Sequence, residues 1–154
     1  MQGRAGRSGL KDVSISGQVW TFSNVDPRLS GVRGSFSVSL NRLAVDPGNP
    51  AAGCTSASGH ARTDVLQSNE AWWSWAGPDL QGPIRCEDGA LLLALAGDQS
   101  GQTVDMTIRA FPYGRYNVGV SVKTGDAAAQ NVMALFGFAR SGERYTLNET
   151  GRWQ

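Results

Sequence analysis

A mainly β fold, a curved antiparallel sheet or meander of about seven strands, follows from three features of this 154-residue chain. Apolar and polar residues alternate with a period of two along several runs, the pattern of strands with one face buried and one face wet. Glycine is frequent, at 20 residues, and Ser and Thr fill many polar positions. That mixture, without long Glu/Lys-rich segments, favours strands and turns over helices. Helical signals gather in one short segment, near residues 126–136. The sheet is expected either to fold over as a sandwich or to stay open as a trough.

The elements can be justified in order. Residues 1–10, basic at Arg4 and Arg7 and rich in glycine, are expected to be a flexible tail, with 11–154 a single β-rich domain. In 13–22, Val13, Ile15 and Val19 share a face. Phe36, Val38 and Leu40 alternate with Ser35, Ser37, Ser39 and Asn41. The stretch 46–54 is a loop rich in Pro and Gly. The run 90–96, ALLLALA, lacks alternation and reads as a strand covered on both sides. Val104, Met106, Ile108 and Ala110 form one strand face; Tyr116, Val118, Val120 and Val122 form another. Between them, 97–101 (GDQSG) is a short hairpin loop, and 111–114 (FPYG) has Pro second and Gly fourth, as a type I turn prefers. Residues 90–123 are therefore a meander. Asp126 can cap the following helix, whose Val132, Leu135 and Phe136 make an apolar stripe with Ala128 before Gly137 stops it. A final strand spans 144–153.

Composition removes several function classes. A net charge of +1 with 18% charged residues gives no electrostatic case for nucleic acid. No apolar run approaches the ~18–20 residues needed to span a bilayer. The basic N-terminus has no hydrophobic segment after it, so it is not a complete secretory signal. Metal sites want three or four ligands at close spacing, and Cys54, Cys86 and His60 are the chain's whole supply of thiols and imidazoles. Cys54 and Cys86 are instead expected to form a disulfide, closing a loop around the tryptophan cluster and implying an oxidising compartment.

Catalytic signals are equally sparse. His60 and Asp64 are four residues apart, but no nucleophile elbow accompanies them. Glu87 and Asp88 precede Gly89 and read as turn residues rather than a glycosidase pair. No catalytic, cofactor-binding or metal-binding residue is assigned, and an enzyme is not expected. The conspicuous feature is Trp72, Trp73 and Trp75. On a strand, Trp73 and Trp75 would face opposite to Trp72; on a short helix after Ser68, Trp72 and Trp75 would adjoin. Either way at least one ring turns inward, so these residues read as core or interaction anchors rather than as a flat ligand platform. Pro78, Gly82 and Pro83 are expected to turn the chain back towards Cys86.

The ordered series 73–82 (WSWAGPDLQG), 85–95 (RCEDGALLLAL), 113–122 (YGRYNVGVSV), 134–138 (ALFGF) and 145–153 (YTLNETGRW) resembles the C-terminal periplasmic region of protein N of the bacterial type II secretion system. The resemblance runs from about Gly31 to Trp153. It implies an accessory, non-enzymatic component of the apparatus that exports folded proteins across the outer membrane. Its partners would be other components of that system, and no catalytic residues carry over. It further implies a domain on the periplasmic side of the inner membrane, held by an N-terminal transmembrane anchor absent from this chain, which would then be a C-terminal fragment. Two other functions remain open. A lipid-handling envelope protein would use an apolar trough of Met106, Ile108, Val118, Val120 and Val122. A carbohydrate-binding sandwich would use Trp72, Trp73 and Trp75.

Overall fold

The computed structural model describes residues 2–5, 9–19 and 31–152, apart from the side chains of 2–5, 9, 10 and Trp72. Within them lie β1 (Gln2–Ala5), β2 (Gly9–Gln18), β3 (Ser35–Val45), β4 (Cys54–Thr63), β5 (Leu80–Glu87), β6 (Ala90–Gln99), β7 (Gln102–Ala110), β8 (Arg115–Lys123), β9 (Ala139–Ser141) and β10 (Arg144–Arg152). Three helices join them: α1 (Val65–Ser68), α2 (Glu70–Trp73) and α3 (Ala127–Leu135). All the strands belong to one antiparallel sheet, ordered β1 to β8 and then β10 and β9. This is the open form of the expected β fold, with no second sheet among the described residues to make a sandwich.

Ten strands replace the expected seven or so. The additional ones are those whose composition hides a strand. β4 reads CTSASGHART, and its inward positions Ala57, Gly59, Ala61 and Thr63 are all small, so the alternation carries little hydrophobic contrast. β5 contains Gly82 and Pro83, which suggested a sharp turn; both lie inside the strand instead. Gly82 is required there because a Cβ would stand 1.7 Å from the Ala94 carbonyl oxygen of β6. Gly59 plays the same part against β3, where a Cβ would meet the Ser39 carbonyl at 2.2 Å, beside the register shift between Leu40 and Arg42. Such close approaches and bulges bend a sheet. Gln2–Ala5 pairs with β2 in the stretch whose composition suggests a tail. Residues 20–22 of the first expected strand, and Trp153 of the last, lie outside the described residues.

The register aligns one apolar row across eight strands: Ile15, Val38, Ala61, Gly82, Leu95, Met106, Val120 and Leu147. That inner face holds most of the core, including Val13, Leu40, Ile84, Val104, Val122 and Tyr145. The outer face is mainly polar, and β6 is the exception. Leu92 is fully buried there between Arg85 and Arg109 of the flanking strands. Glu87 accepts hydrogen bonds from both arginines, at 3.3 and 3.4 Å. The aliphatic stems of the two arginines thus flank Leu92, so the 90–96 run is covered on both sides by snorkelling cations rather than by a second layer.

Turn chemistry fixes the hairpins. Asp88–Gly89 and Ser100–Gly101 each place two consecutive residues at positive φ, the requirement of the two-residue turns whose twist matches the strands they join. Residues 111–114 differ from the expected type I turn. Pro112–Gly114 makes a tight three-residue loop in which Tyr113 (φ 65°) and Gly114 (φ 77°) are both left-handed. The Phe111 N–H donates to the Arg115 carbonyl at 2.8 Å, so three residues rather than two make the loop.

Cys54 and Cys86 are bonded, with Cα atoms 6.0 Å apart. Cys54 opens β4 and Cys86 is the penultimate residue of β5. The Cys54 N–H also donates to the Gly89 carbonyl at 3.1 Å, tying the start of β4 to the β5–β6 turn. The bridge spans 32 positions of sequence, a loop whose closure restricts the unfolded chain by roughly 3–4 kcal/mol. Replacing both cysteines with serine is expected to lower the unfolding free energy by about that amount, read as a lower urea midpoint with a steeper slope, because the unlinked unfolded chain is more expanded. In the parent protein, denatured without reductant, thiol titration should find no reactive cysteine.

Candidate functional site

The tryptophan segment closes one end of the inner face. After α2, Ser74 takes a left-handed conformation (φ 56°) and drops Trp75 into the core. Trp75 is only 3% exposed, a burial of an indole that removes roughly 200 Å² from water. Its Nε1–H donates to Gln102 Oε1 at 2.8 Å. The same oxygen accepts from the hydroxyl of the buried Thr124, at 2.9 Å. Thr124 Oγ1 in turn accepts from the Asp126 N–H at 3.1 Å. Asp126 then caps α3, its Oδ1 accepting from the N–H groups of Ala128 and Ala129. One connected set of hydrogen bonds therefore runs from the indole to the start of the helix.

α3 lies on this corner by Ala129, Val132 and Met133, which are buried, and by Phe136, which packs against the core. These positions follow the i, i+3, i+4, i+7 spacing of one helix face. Leu135, assigned to the apolar stripe by the sequence, points outward and is 69% exposed. Trp73 meets Phe136 edge to face, with centroids 5.7 Å apart and planes at 83°. Trp73 and Trp75 therefore have separate tasks, one joining α2 to α3 and the other anchoring the sheet. Trp72 lies in α2 by its backbone, and its side chain is outside the described residues.

A second polar knot holds the other flank of the segment. Asn69 is 1% exposed; its Nδ2 donates to the carbonyls of Arg33 and Val65, and its Oδ1 accepts from the Arg33 N–H. Asp64 Oδ1 accepts from the Ser35 N–H at 2.8 Å, and Oδ2 from the Ser35 hydroxyl at 3.3 Å. The backbone bond to Ser35 is the chief reason that its carboxyl is held below the ordinary 3.8; burial opposes the shift, and hydroxyls of Ser68 and Ser35 add to it. Beside it lies a polar depression of about 230 Å³ lined by Ser35, Phe36, Ser37, Arg62, Thr63 and Asp64. Neither of these polar knots was legible in the sequence. Gln102, Asn69 and Thr124 carry no motif, and only the hydrogen bonds that the fold brings to them single them out.

His60 and Asp64, the acid–base pair that the sequence spacing offers, are not brought together. His60 is exposed on β4, its Nε2 3.3 Å from Gln81 Oε1, and Asp64 turns to Ser35 instead. Arg62 pairs with Asp79. Among the described residues, no group of three or more His, Cys, Asp or Glu side chains could hold a metal ion, and no helix is long and apolar enough to cross a membrane. Away from the α3 corner, Met106, Ile108, Val118, Val120 and Leu147 continue the inner face as partly exposed residues.

This defines a class: a one-sheet β domain with an apolar inner face capped at one end, where the buried Asn69 and Thr124 side chains are engaged in holding the fold. The family model of protein N of the type II secretion system (T2SS) matches residues 1–148, nearly the whole chain, and the chain belongs to that family. It is thus a component of the type II secretion system. Comparison with curated proteins and with solved structures gave no match.

Two outcomes test the site. Gln102→Leu leaves the Trp75 indole N–H and the Thr124 hydroxyl without their acceptor. It should cost about 2–4 kcal/mol by chemical denaturation, with altered tryptophan fluorescence. For Asp64, a lowered folded-state value means stability that is present above about pH 4 and lost as the pH falls through that lowered value. Asp64→Asn should therefore be less stable than the parent at pH 7, and the gap should narrow as the pH drops towards 3, measured by urea midpoints across that range.

Proposed function

We propose that this chain is a non-enzymatic accessory part of the type II secretion system that acts through contacts with other components of the apparatus in the periplasm, on the outer side of the inner membrane. The family match over residues 1–148 carries the reading. Several structural features support it. The Cys54–Cys86 bond suits an oxidising compartment. The open sheet ends in edge strands, and such edges take up partner strands through backbone hydrogen bonds. The buried side chains of Asn69, Trp75 and Thr124 spend their polar groups on hydrogen bonds that join loops, sheet and helix.

A second reading draws on the partly exposed inner face, where Met106, Ile108, Val118, Val120 and Leu147 could lie along an acyl chain. Native mass spectrometry of the gently extracted domain separates the two, since a lipid-handling protein should retain lipid. The carbohydrate reading is weakened because Trp75 is buried and cannot present a face to a sugar.

The accessory role predicts that the membrane-anchored protein, purified in mild detergent, brings other inner-membrane components of the apparatus with it. Secretion should also fail in a strain deleted for the gene. Normal secretion in the deletion strain, together with no copurifying component, would contradict the role.

A further inference from the structure

The loop between β7 and β8 holds the most exposed large hydrophobic side chain among the described residues, and it holds that side chain in a strained backbone. Tyr113 is 78% exposed and has a φ of 65°. The other non-glycine residues at positive φ among the described residues are Asp12, Ser74, Asp88 and Ser100, all short and polar, the kind that the left-handed region admits. A bulky aromatic residue there is an outlier. The loop does not demand it. A three-residue hairpin loop ordinarily needs one left-handed residue, its last, and Gly114 fills that place with a φ of 77°. Nor does packing offset the strain. The Tyr113 ring lies in solvent, and the neighbouring ring of Phe111 is taken by the Arg115 guanidinium, 5.5 Å from its centroid. Strained residues of this kind cluster at functional sites.

Tyr113 stands on a braced rim. Residues 47–52 of the β3–β4 connection (PGNPAA) are all exposed and carry no charge. Their turn at Pro50–Ala52 packs beside Pro112–Gly114. The glycines beneath leave no slack: a Cβ on Gly53 would stand 1.9 Å from the Gly89 carbonyl oxygen, and one on Gly89 2.2 Å from the Ala52 carbonyl oxygen. The Cys54–Cys86 bond follows directly behind. The ring therefore projects from a surface already fixed, and little further ordering is lost when a partner closes on it. An exposed tyrosine beside uncharged loops suits the centre of a protein interface, where charged residues are depleted and tyrosine is enriched. A bilayer is a poorer match, because membrane binding scales with the apolar area inserted and one ring supplies little.

We infer that Tyr113 is the anchor of a docking surface, with residues 47–52 as its rim, and that the occupant is a protein component of the apparatus bearing an apolar pocket for one phenol ring. A hydrogen-bond acceptor belongs at the base of that pocket, since a tyrosine hydroxyl taken out of water needs a partner. The inference rests on the proposed contact role and names the surface and the chemistry of the contact.

Two measurements on the full-length protein test it. Tyr113→benzoylphenylalanine, photoactivated in living cells, should form an adduct in which mass spectrometry identifies a protein component of the apparatus. The same substitution at Thr103, exposed on β7, should form none. Second, Tyr113→Asn places a residue that tolerates the left-handed region. It should leave the urea midpoint unchanged or higher, while the component copurified in mild detergent falls by roughly tenfold or more, the loss expected of an interface anchor. Tyr113→Gly gives the same two readouts should the asparagine variant express poorly. A lowered midpoint in both variants would mean that the ring holds the fold, and would overturn the inference. So would adducts with phospholipid only, with a second copy of this chain only, equally from both positions, or from neither. A parent protein that copurifies no component would end the contact role itself, whereas equal copurification by parent and variant would leave that role standing and end this inference alone.

Discussion

A single sheet has no opposing layer, and this one carries an apolar row across eight strands. Its inner face must be shielded by whatever the connections can supply. The indole of Trp75 and the hydrogen bonds that converge on Gln102 Oε1 meet that need at one end. Without that oxygen, two buried donors, an indole N–H and a hydroxyl, would sit in a weakly polar environment with nothing to accept them. With it, the segment before β5, the start of β7 and the approach to α3 are locked to one atom. The cap of α3 by Asp126 and the seating of Ala129, Val132 and Met133 on the core follow from that lock.

The disulfide and the arginine pair over Leu92 answer the same problem elsewhere. The bond from Cys54 to Cys86 pins the far end of β4 to β5, where small residues give the strands little side-chain contact. Arg85 and Arg109 shield the outer face of β6 with their stems and share Glu87 at their heads. Each exposed ion pair of this sort contributes only about 0–1 kcal/mol. Its effect is to keep the outer face polar while Leu92 stays dry. The domain thus obtains two-sided burial at its centre from one layer of backbone.

Much of this was legible in the residues, and the limits have physical causes. The alternating runs at 35–41, 103–110 and 115–123 gave β3, β7 and β8 because large apolar side chains mark their inner faces. Asp126 before three alanines gave the helix and its cap. β4 and β5 were hidden because curvature requires Gly59 and Gly82 where neighbouring carbonyls come too close for a Cβ, and glycine and proline in a sequence look like turns. Leu135 was misplaced because a helical stripe can be drawn through several nearby apolar residues, and contact with the sheet selects Ala129 and Met133 instead. Trp75 was legible as an anchor by its size alone. Its partner Gln102 was not, since a glutamine between two strands has no pattern until the fold brings an indole and a threonine to it. The family resemblance came from the order of the segments along the chain, which a single sheet built largely in chain order preserves.

The central claim is that this domain serves secretion by its shape and its contacts, with no side chain performing a reaction. Complementation of the deletion strain by full-length protein carrying His60→Ala, Asp98→Asn and Asp105→Asn measures this most directly. These substitutions remove the sole imidazole and two exposed carboxylates of β6 and β7 without touching the core. The account predicts secretion at the parental level. A folded, normally abundant variant that leaves the exported proteins trapped in the periplasm would contradict it.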